Sequence, residues 1–119
     1  MFEKLRRLWR ELDPSLYEGS KEPVMRRLDE HRAEFYWLGT TLVFDARTRT
    51  VQPRGKAPVK YDSIRDVAIF EYGEDPNWNV VLRMDGWAKI QVGHTREQVD
   101  ASIAAAHLAK ATGKKVCVL

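Results

Sequence analysis

Three histidines, one cysteine and a scatter of carboxylates are the side chains in this 119-residue sequence able to move protons, hold a metal or attack a carbonyl. His31, His94 and His107 are the natural acid–base groups, since imidazole is the side chain suited to proton transfer near neutral pH. None has the H-x-x-x-H or H-E-x-x-H spacing that puts two metal ligands on one helix face. His31 lies in the charged run Asp29-Glu30-His31-Arg32, which reads as an exposed helical stretch. His94 precedes the threonine expected to cap the last helix, and His107 falls in that helix's final turns, where a cation suits the dipole. Cys117 sits between Val116 and Val118, the flanks of a buried, inert thiol, and a single cysteine excludes an intramolecular disulfide or a multi-cysteine metal site. Asp62, Asp66, Glu71, Glu74 and Asp75 are candidates for paired acid–base work, but Asp66 and Glu71, five apart, fall on opposite faces of a strand. No glycine-rich phosphate loop or G-x-S-x-G elbow is present. The expectation is therefore a protein with no catalytic residue, no metal and no cofactor. The alternative is a small enzyme in which His94 works with Asp66 or Glu71.

Charge distribution says more than any single residue. Residues 35–60 hold Arg47, Arg49, Arg54, Lys56 and Lys60 against Asp45 alone, whereas residues 61–80 hold Arg65 against five acids. A basic hairpin and loop of this kind can grip a phosphorylated headgroup or an acidic partner. The plainer reading is that the two segments neutralise each other across a sheet, each exposed pair contributing about 0–1 kcal/mol. The net charge of +3 is too small to imply nucleic acid, and no aromatics interleave with the basic residues, so nucleic acid is the weaker reading. At 44% hydrophobic the chain has enough apolar surface to bury on folding, and no apolar run approaches the ~20 residues of a membrane span. The charges of MFEKLRRLWREL interrupt every apolar stretch, which is not the pattern of a secretory signal. A cytoplasmic protein, or one peripheral at the inner membrane face, is expected.

The elements that must position these side chains follow from periodicity. Phe2, Leu5, Trp9, Leu12 and Leu16 are spaced three and four apart, one stripe of a helix whose other face carries Arg6, Arg10 and further charges. A second helix is expected from Ser20 to Glu34, capped by Ser20 with Pro23 in its first turn. Strands are expected at 41–45, 50–52, 59–61 and 66–72. Trp78–Met84 and Trp87–Val92 meet across Asp85-Gly86, the preference of a two-residue type I′ hairpin, which pairs Met84 with Trp87 and Leu82 with Lys89. A helix from Arg96 to Thr112 is predicted, with a Thr95–Gln98 capping box, an apolar face of Val99, Ile103, Ala104, Ala105, Ala106 and Leu108, and a Gly113 terminator. Val116–Leu119 suits an added edge strand.

Leu42-Val43-Phe44-Asp45, a turn, Thr50-Val51, and then Val59-Lys60-Tyr61-Asp62-Ser63-Ile64-Arg65-Asp66-Val67 resembles the first half of small bacterial pleckstrin-homology-like domains. In that family a strand ending in an acid leads through a turn to a second strand. An apolar–x–aromatic–x–Ser-Ile step then enters the next sheet. The resemblance covers residues 40–113 as a pattern of hydrophobicity and turns, and only five or six of that family's seven strands can be read from the sequence. It implies a non-catalytic domain that binds lipid headgroups, peptides or other proteins.

The expected architecture is α+β: an N-terminal helical segment over residues 1–34, then a meander with a C-terminal helix packed on it over 35–119, in one compact domain. The expected function is a binding or adaptor domain that recognises an acidic protein or an anionic lipid surface. Two surfaces are candidates: the basic face of Arg47, Arg49, Arg54, Lys56 and Lys60, and an interaction helix presenting Phe2, Leu5, Trp9, Arg6 and Arg10 to a bilayer, a partner or a second copy, the plainer alternative being that this helix packs back on the domain's own sheet. A third reading is a structural subunit of a larger assembly.

Overall fold

The computed structural model describes residues 22–71, 73 and 77–119. They form nine strands and one helix: β1 (Val24–Arg27), β2 (Arg32–Trp37), β3 (Thr40–Asp45), β4 (Thr50–Pro53), β5 (Val59–Lys60), β6 (Ile64–Glu71), β7 (Trp78–Met84), β8 (Lys89–Thr95), α1 (Gln98–Thr112) and β9 (Val116–Val118). One sheet has the order β1-β2-β3-β4-β5 and the other β8-β7-β6-β9. Every neighbouring pair is antiparallel except β6 and β9. A single 3-10 turn, Tyr61–Ser63, carries the chain from the first sheet to the second.

The α+β class with N-terminal helices is thereby corrected: the described residues are mostly β, with one helix. The helix expected over residues 20–34 is a hairpin, and β2 runs through the position where the helical segment was expected to end. Two local facts decide this. The Asp29 carboxylate accepts the backbone N–H of His31 at 2.9 Å and of Arg32 at 2.8 Å, a turn that competes with helix. Val24–Arg27 pair antiparallel with Ala33–Tyr36 on β2, whose Phe35 and Trp37, both fully buried, alternate into the core with the strand period that the sequence shows from Phe35 on. The expected first helix, with Phe2, Leu5, Arg6, Trp9 and Arg10, lies outside the described residues.

One apolar core joins both sheets and α1. Phe35, Trp37, Leu42, Phe44 and Val51 come from the first sheet, Val67, Ile69, Val80, Leu82 and Val92 from the second, and Ala101, Ala104, Ala105 and Leu108 from the helix. Alanines on the buried face let the helix backbone lie close to the sheet. This reverses part of the expected face, since Val99 and Ile103 remain exposed. The expected capping box is also replaced: Thr95 ends β8, its hydroxyl accepts the Glu97 N–H at 3.0 Å, and the helix starts at Gln98. Gly113 closes it as expected, in the left-handed conformation with its N–H on the Ala109 carbonyl at 2.8 Å. The C-terminal tail is the expected edge strand, β9, parallel to β6.

Candidate functional site

The turn geometry of the two sheets decides where the basic side chains stand. Arg47 and Arg49 lie in the β3–β4 turn, whose shape is held by the Asp45 carboxylate accepting the Arg47 N–H at 2.9 Å and the Thr48 N–H at 3.3 Å. Arg49 reaches Asp62 at 3.5 Å and lies over the Tyr61 ring, 5.6 Å from its centroid. Lys60, opposite Thr50, belongs to this end of the sheet. Arg54 and Lys56 sit beyond the other end of β4, a strand of four residues or about 13 Å. The five residues expected to form one basic face therefore divide between two ends of the sheet, and at the first end Arg49 is partly neutralised.

At the second end Arg54 and Lys56 meet a residue that the sequence reading did not assign to the site. A cleft of about 510 Å³ opens between the β2–β3 turn, the β4–β5 loop and the turn end of the β7–β8 hairpin. Leu42, Val59, Met84 and Ile90 contribute its apolar lining, and its charged lining residues are Arg54, Lys56 and Lys89, with no carboxylate among them. The β4–β5 loop is held in shape by the Arg54 N–H on the Thr41 carbonyl (3.1 Å), the Lys56 N–H on the Pro53 carbonyl (3.0 Å) and the Gln52 side-chain amide on the Lys56 carbonyl (3.0 Å).

Both turns beside this cleft present an apolar side chain to solvent. The β7–β8 hairpin closes with the Met84 N–H on the Ala88 carbonyl at 2.9 Å, and Arg83 pairs with Lys89 and Leu82 with Ile90. This is one residue out from the expected register, because the loop is Asp85-Gly86-Trp87 rather than Asp85-Gly86. The slip removes Trp87 from the strand and leaves it fully exposed, 101% of the reference accessibility. Across the cleft, Leu38 and Gly39 form the two-residue β2–β3 turn between the paired Trp37 and Thr40, both with positive φ, 50° and 83°. Leucine in that conformation costs roughly 1–2 kcal/mol relative to a residue that adopts it freely, and Leu38 is exposed. A Leu-Gly pair between Trp37 and Thr40 was a readable turn signal, and Lys89 follows once the hairpin register is known.

The acid–base candidates are not brought together. The side chain of His94, opposite Asn79 on β8, is exposed and has no hydrogen bond or ion pair among the described residues, whereas Asp66, opposite Arg83, is two strands away and about 13 Å further along the sheet. Asp66 is buried and bound by Arg83 through two charge-assisted hydrogen bonds, Nε–Oδ1 at 2.7 Å and Nη2–Oδ2 at 2.6 Å. Those bonds hold its carboxyl below the ordinary value against the opposing effect of burial, with help from the Cys117 thiol. Glu71, exposed and opposite Trp78, is at the same end of the sheet as His94 but two strands away across β7, about 10 Å. His31 and His107 line a second cleft, beneath the β1–β2 turn. No cluster of three or more His, Cys, Asp or Glu side chains suited to a metal occurs among the described residues, and no helix there is long and apolar enough to cross a membrane. No protein-family model, curated protein or solved structure significantly matches the chain.

Proposed function

We propose that the protein is a binding module that attaches peripherally to an anionic lipid surface through the Arg54–Lys56–Lys89 cleft. The carrying observation is a cleft whose charged lining is wholly cationic, flanked by turns that expose Leu38 and Trp87. Cations beside an anionic bilayer each contribute about 1 kcal/mol, and a tryptophan beside them suits the headgroup boundary. An exposed leucine kept at positive φ, where asparagine or glycine would be easier, is the kind of local strain found at functional positions. The resemblance to pleckstrin-homology-like domains points the same way: among the described residues, leaving out the edge strand β1, seven strands precede α1, the number that family carries. This reading puts the chain on a cytoplasmic membrane face, where anionic lipid is concentrated.

The test is sedimentation of the full chain with vesicles containing about one-third phosphatidylglycerol, and with neutral phosphatidylcholine vesicles, at low and high salt. Salt-sensitive binding to the anionic vesicles is expected. The triple variant Arg54→Gln, Lys56→Gln, Lys89→Gln should weaken it by about 3 kcal/mol, roughly a hundredfold. Arg47→Gln with Arg49→Gln, at the opposite end of the sheet, should leave it within about threefold. Equal binding to neutral vesicles, no binding to either, or an unaffected triple variant overturns the assignment.

The turn leucine gives a second expected result. Leu38→Asn should raise unfolding stability by about 1 kcal/mol, because asparagine tolerates positive φ, and should weaken vesicle binding several-fold. Urea melts beside the sedimentation assay check both. A variant that is stabilised but binds as before removes Leu38 from the lipid contact.

A further inference from the structure

The second cleft is built of different residues from the first. It has a volume of about 410 Å³ and lies where the β1–β2 turn, the β3–β4 turn and the last turns of α1 meet. Its volume falls within the range of small-molecule sites, which are mostly apolar with a few convergent polar groups. Met25, Ala33, Phe44, Tyr61 and Ala111 supply apolar surface, and Arg27, Arg32 and Lys110 supply positive charge against Asp29 and Glu30.

The charges are unequally committed. Asp29 and Arg32 are bound to each other, Nε–Oδ2 at 2.7 Å, and with backbone N–H groups on the same carboxylate this pulls the Asp29 pKa down to about 2. That pair cancels. Arg27 is anchored differently: its Nε and Nη2 donate to the backbone carbonyls of Asp29 and Glu30, both at 3.2 Å. Its guanidinium is therefore held in place by neutral acceptors, and among the described residues three of its five N–H bonds have no partner. Lys110 has no ion pair among the described residues, and Glu30 is solvated, its side chain 86% exposed. Among its Arg, Lys, Asp and Glu side chains the lining has three cations and two carboxylates, an excess of one positive charge.

The lining also includes Ala46, His31, whose Nε2 lies 3.9 Å from Glu30 Oε2, and two further groups, His107 and Tyr61. His107 is half-buried on α1, and burial together with the neighbouring Lys110 lowers its pKa. Burial raises the Tyr61 hydroxyl, foremost, with Asp45 adding to the effect and Arg49 opposing it. Both groups are neutral at pH 7 and able to donate a hydrogen bond, and neither has a hydrogen-bond partner among the described residues.

We infer that this cleft binds a small amphipathic monocarboxylate, its ring or short chain on the Met25–Phe44–Tyr61 surface and its carboxylate between Arg27 and Lys110. One negative charge balances the lining, whereas a dianion would leave it with a net negative charge. The apolar floor requires the carboxylate to carry a hydrophobic group.

Nuclear magnetic resonance titration of the full chain with benzoate tests this, with benzyl alcohol and inorganic phosphate as comparison probes. Benzoate should give saturable shifts at Ala33, Phe44, Tyr61 and His107, and should bind at least tenfold more tightly than either comparison. Arg27→Met with Lys110→Met, both at exposed positions, should weaken benzoate at least tenfold without changing the melting temperature by more than a few degrees. Ala111→Phe, which fills the cleft but keeps its charge, should also weaken it. Benzyl alcohol binding as well as benzoate removes the carboxylate subsite, phosphate binding as well as benzoate removes the apolar one, and shifts elsewhere or none at all overturn the site. The residues are separate from the Arg54–Lys56–Lys89 cleft, so the result stands or falls independently of the vesicle assay.

Discussion

Replacing Arg83 with methionine is expected to destabilise the protein by about 3 kcal/mol at neutral pH, the lower end of the cost of orphaning a buried charge. Asp66 is 2% exposed and its carboxylate is held by the two Arg83 bonds. Methionine keeps much of the arginine's apolar stem but leaves that carboxylate buried without its cation. The pH dependence separates this mechanism from simple loss of packing. In the native protein the Arg83 hydrogen bonds depress the Asp66 pKa, so the pair's stabilisation is complete above the ordinary carboxylate range and is lost as pH falls through the depressed value. In the variant, burial without the cation acts in the opposite direction and raises the folded-state pKa. The variant then takes up a proton on folding, and its deficit should shrink steadily between pH 7 and pH 4. Urea denaturation at several pH values measures this. A deficit that stays constant over that range would show that Arg83 matters only for packing. Asp66→Asn in the Arg83→Met background should recover part of the loss at pH 7 and none at pH 4.

Gly93→Ala should cost a similar amount for a steric reason. A Cβ at position 93 would stand 2.7 Å from Cε3 and 2.9 Å from Cζ3 of Trp37, closer than real Cβ contacts come. Trp37 is fully buried in the core that joins the two sheets, so its ring has no free space to move into. Gly93 lies opposite Val80, where the β7–β8 register shifts by one residue, and the indole packs against the bare backbone there. Overpacking of this kind costs about 1–3 kcal/mol, and with a ring that cannot yield the upper end is expected, a fall in melting temperature of roughly 10 °C. Trp37→Phe removes the clashing part of the ring. In that background Gly93→Ala should cost at most about 1 kcal/mol, a coupling that a double-mutant cycle reads directly. Equal costs in both backgrounds would mean that Trp37 is not what position 93 accommodates.

The sequence by itself determined the elements whose rules are local. The strands around 41–45 and 50–52, the Gly113 helix stop, the existence of the β7–β8 hairpin and the β9 tail all follow from period-two alternation, turn chemistry and the αL preference of glycine. Residues 24–34 read as helix because Val24 and Leu28 satisfy a helical spacing, while the Asp29 turn that makes them a hairpin is a set of hydrogen bonds rather than a pattern. The hairpin register, and with it the exposure of Trp87, depends on a one-residue difference in loop length to which the Asp-Gly signal is blind. The faces of α1 were decided by contact: small alanines come close enough to the sheet to bury, and the larger Val99 and Ile103 are left outside.

The candidate site divides in the same way. The excess of positive charge in residues 35–60 was legible, but not that β4 would separate Arg47 and Arg49 from Arg54 and Lys56, nor that Lys89, some thirty residues later, would join the latter pair. Charge counts along a chain carry no distance. Only the pairing of strands sets which cations share a cleft, which of them a carboxylate neutralises, and which hydrophobic turns stand beside them.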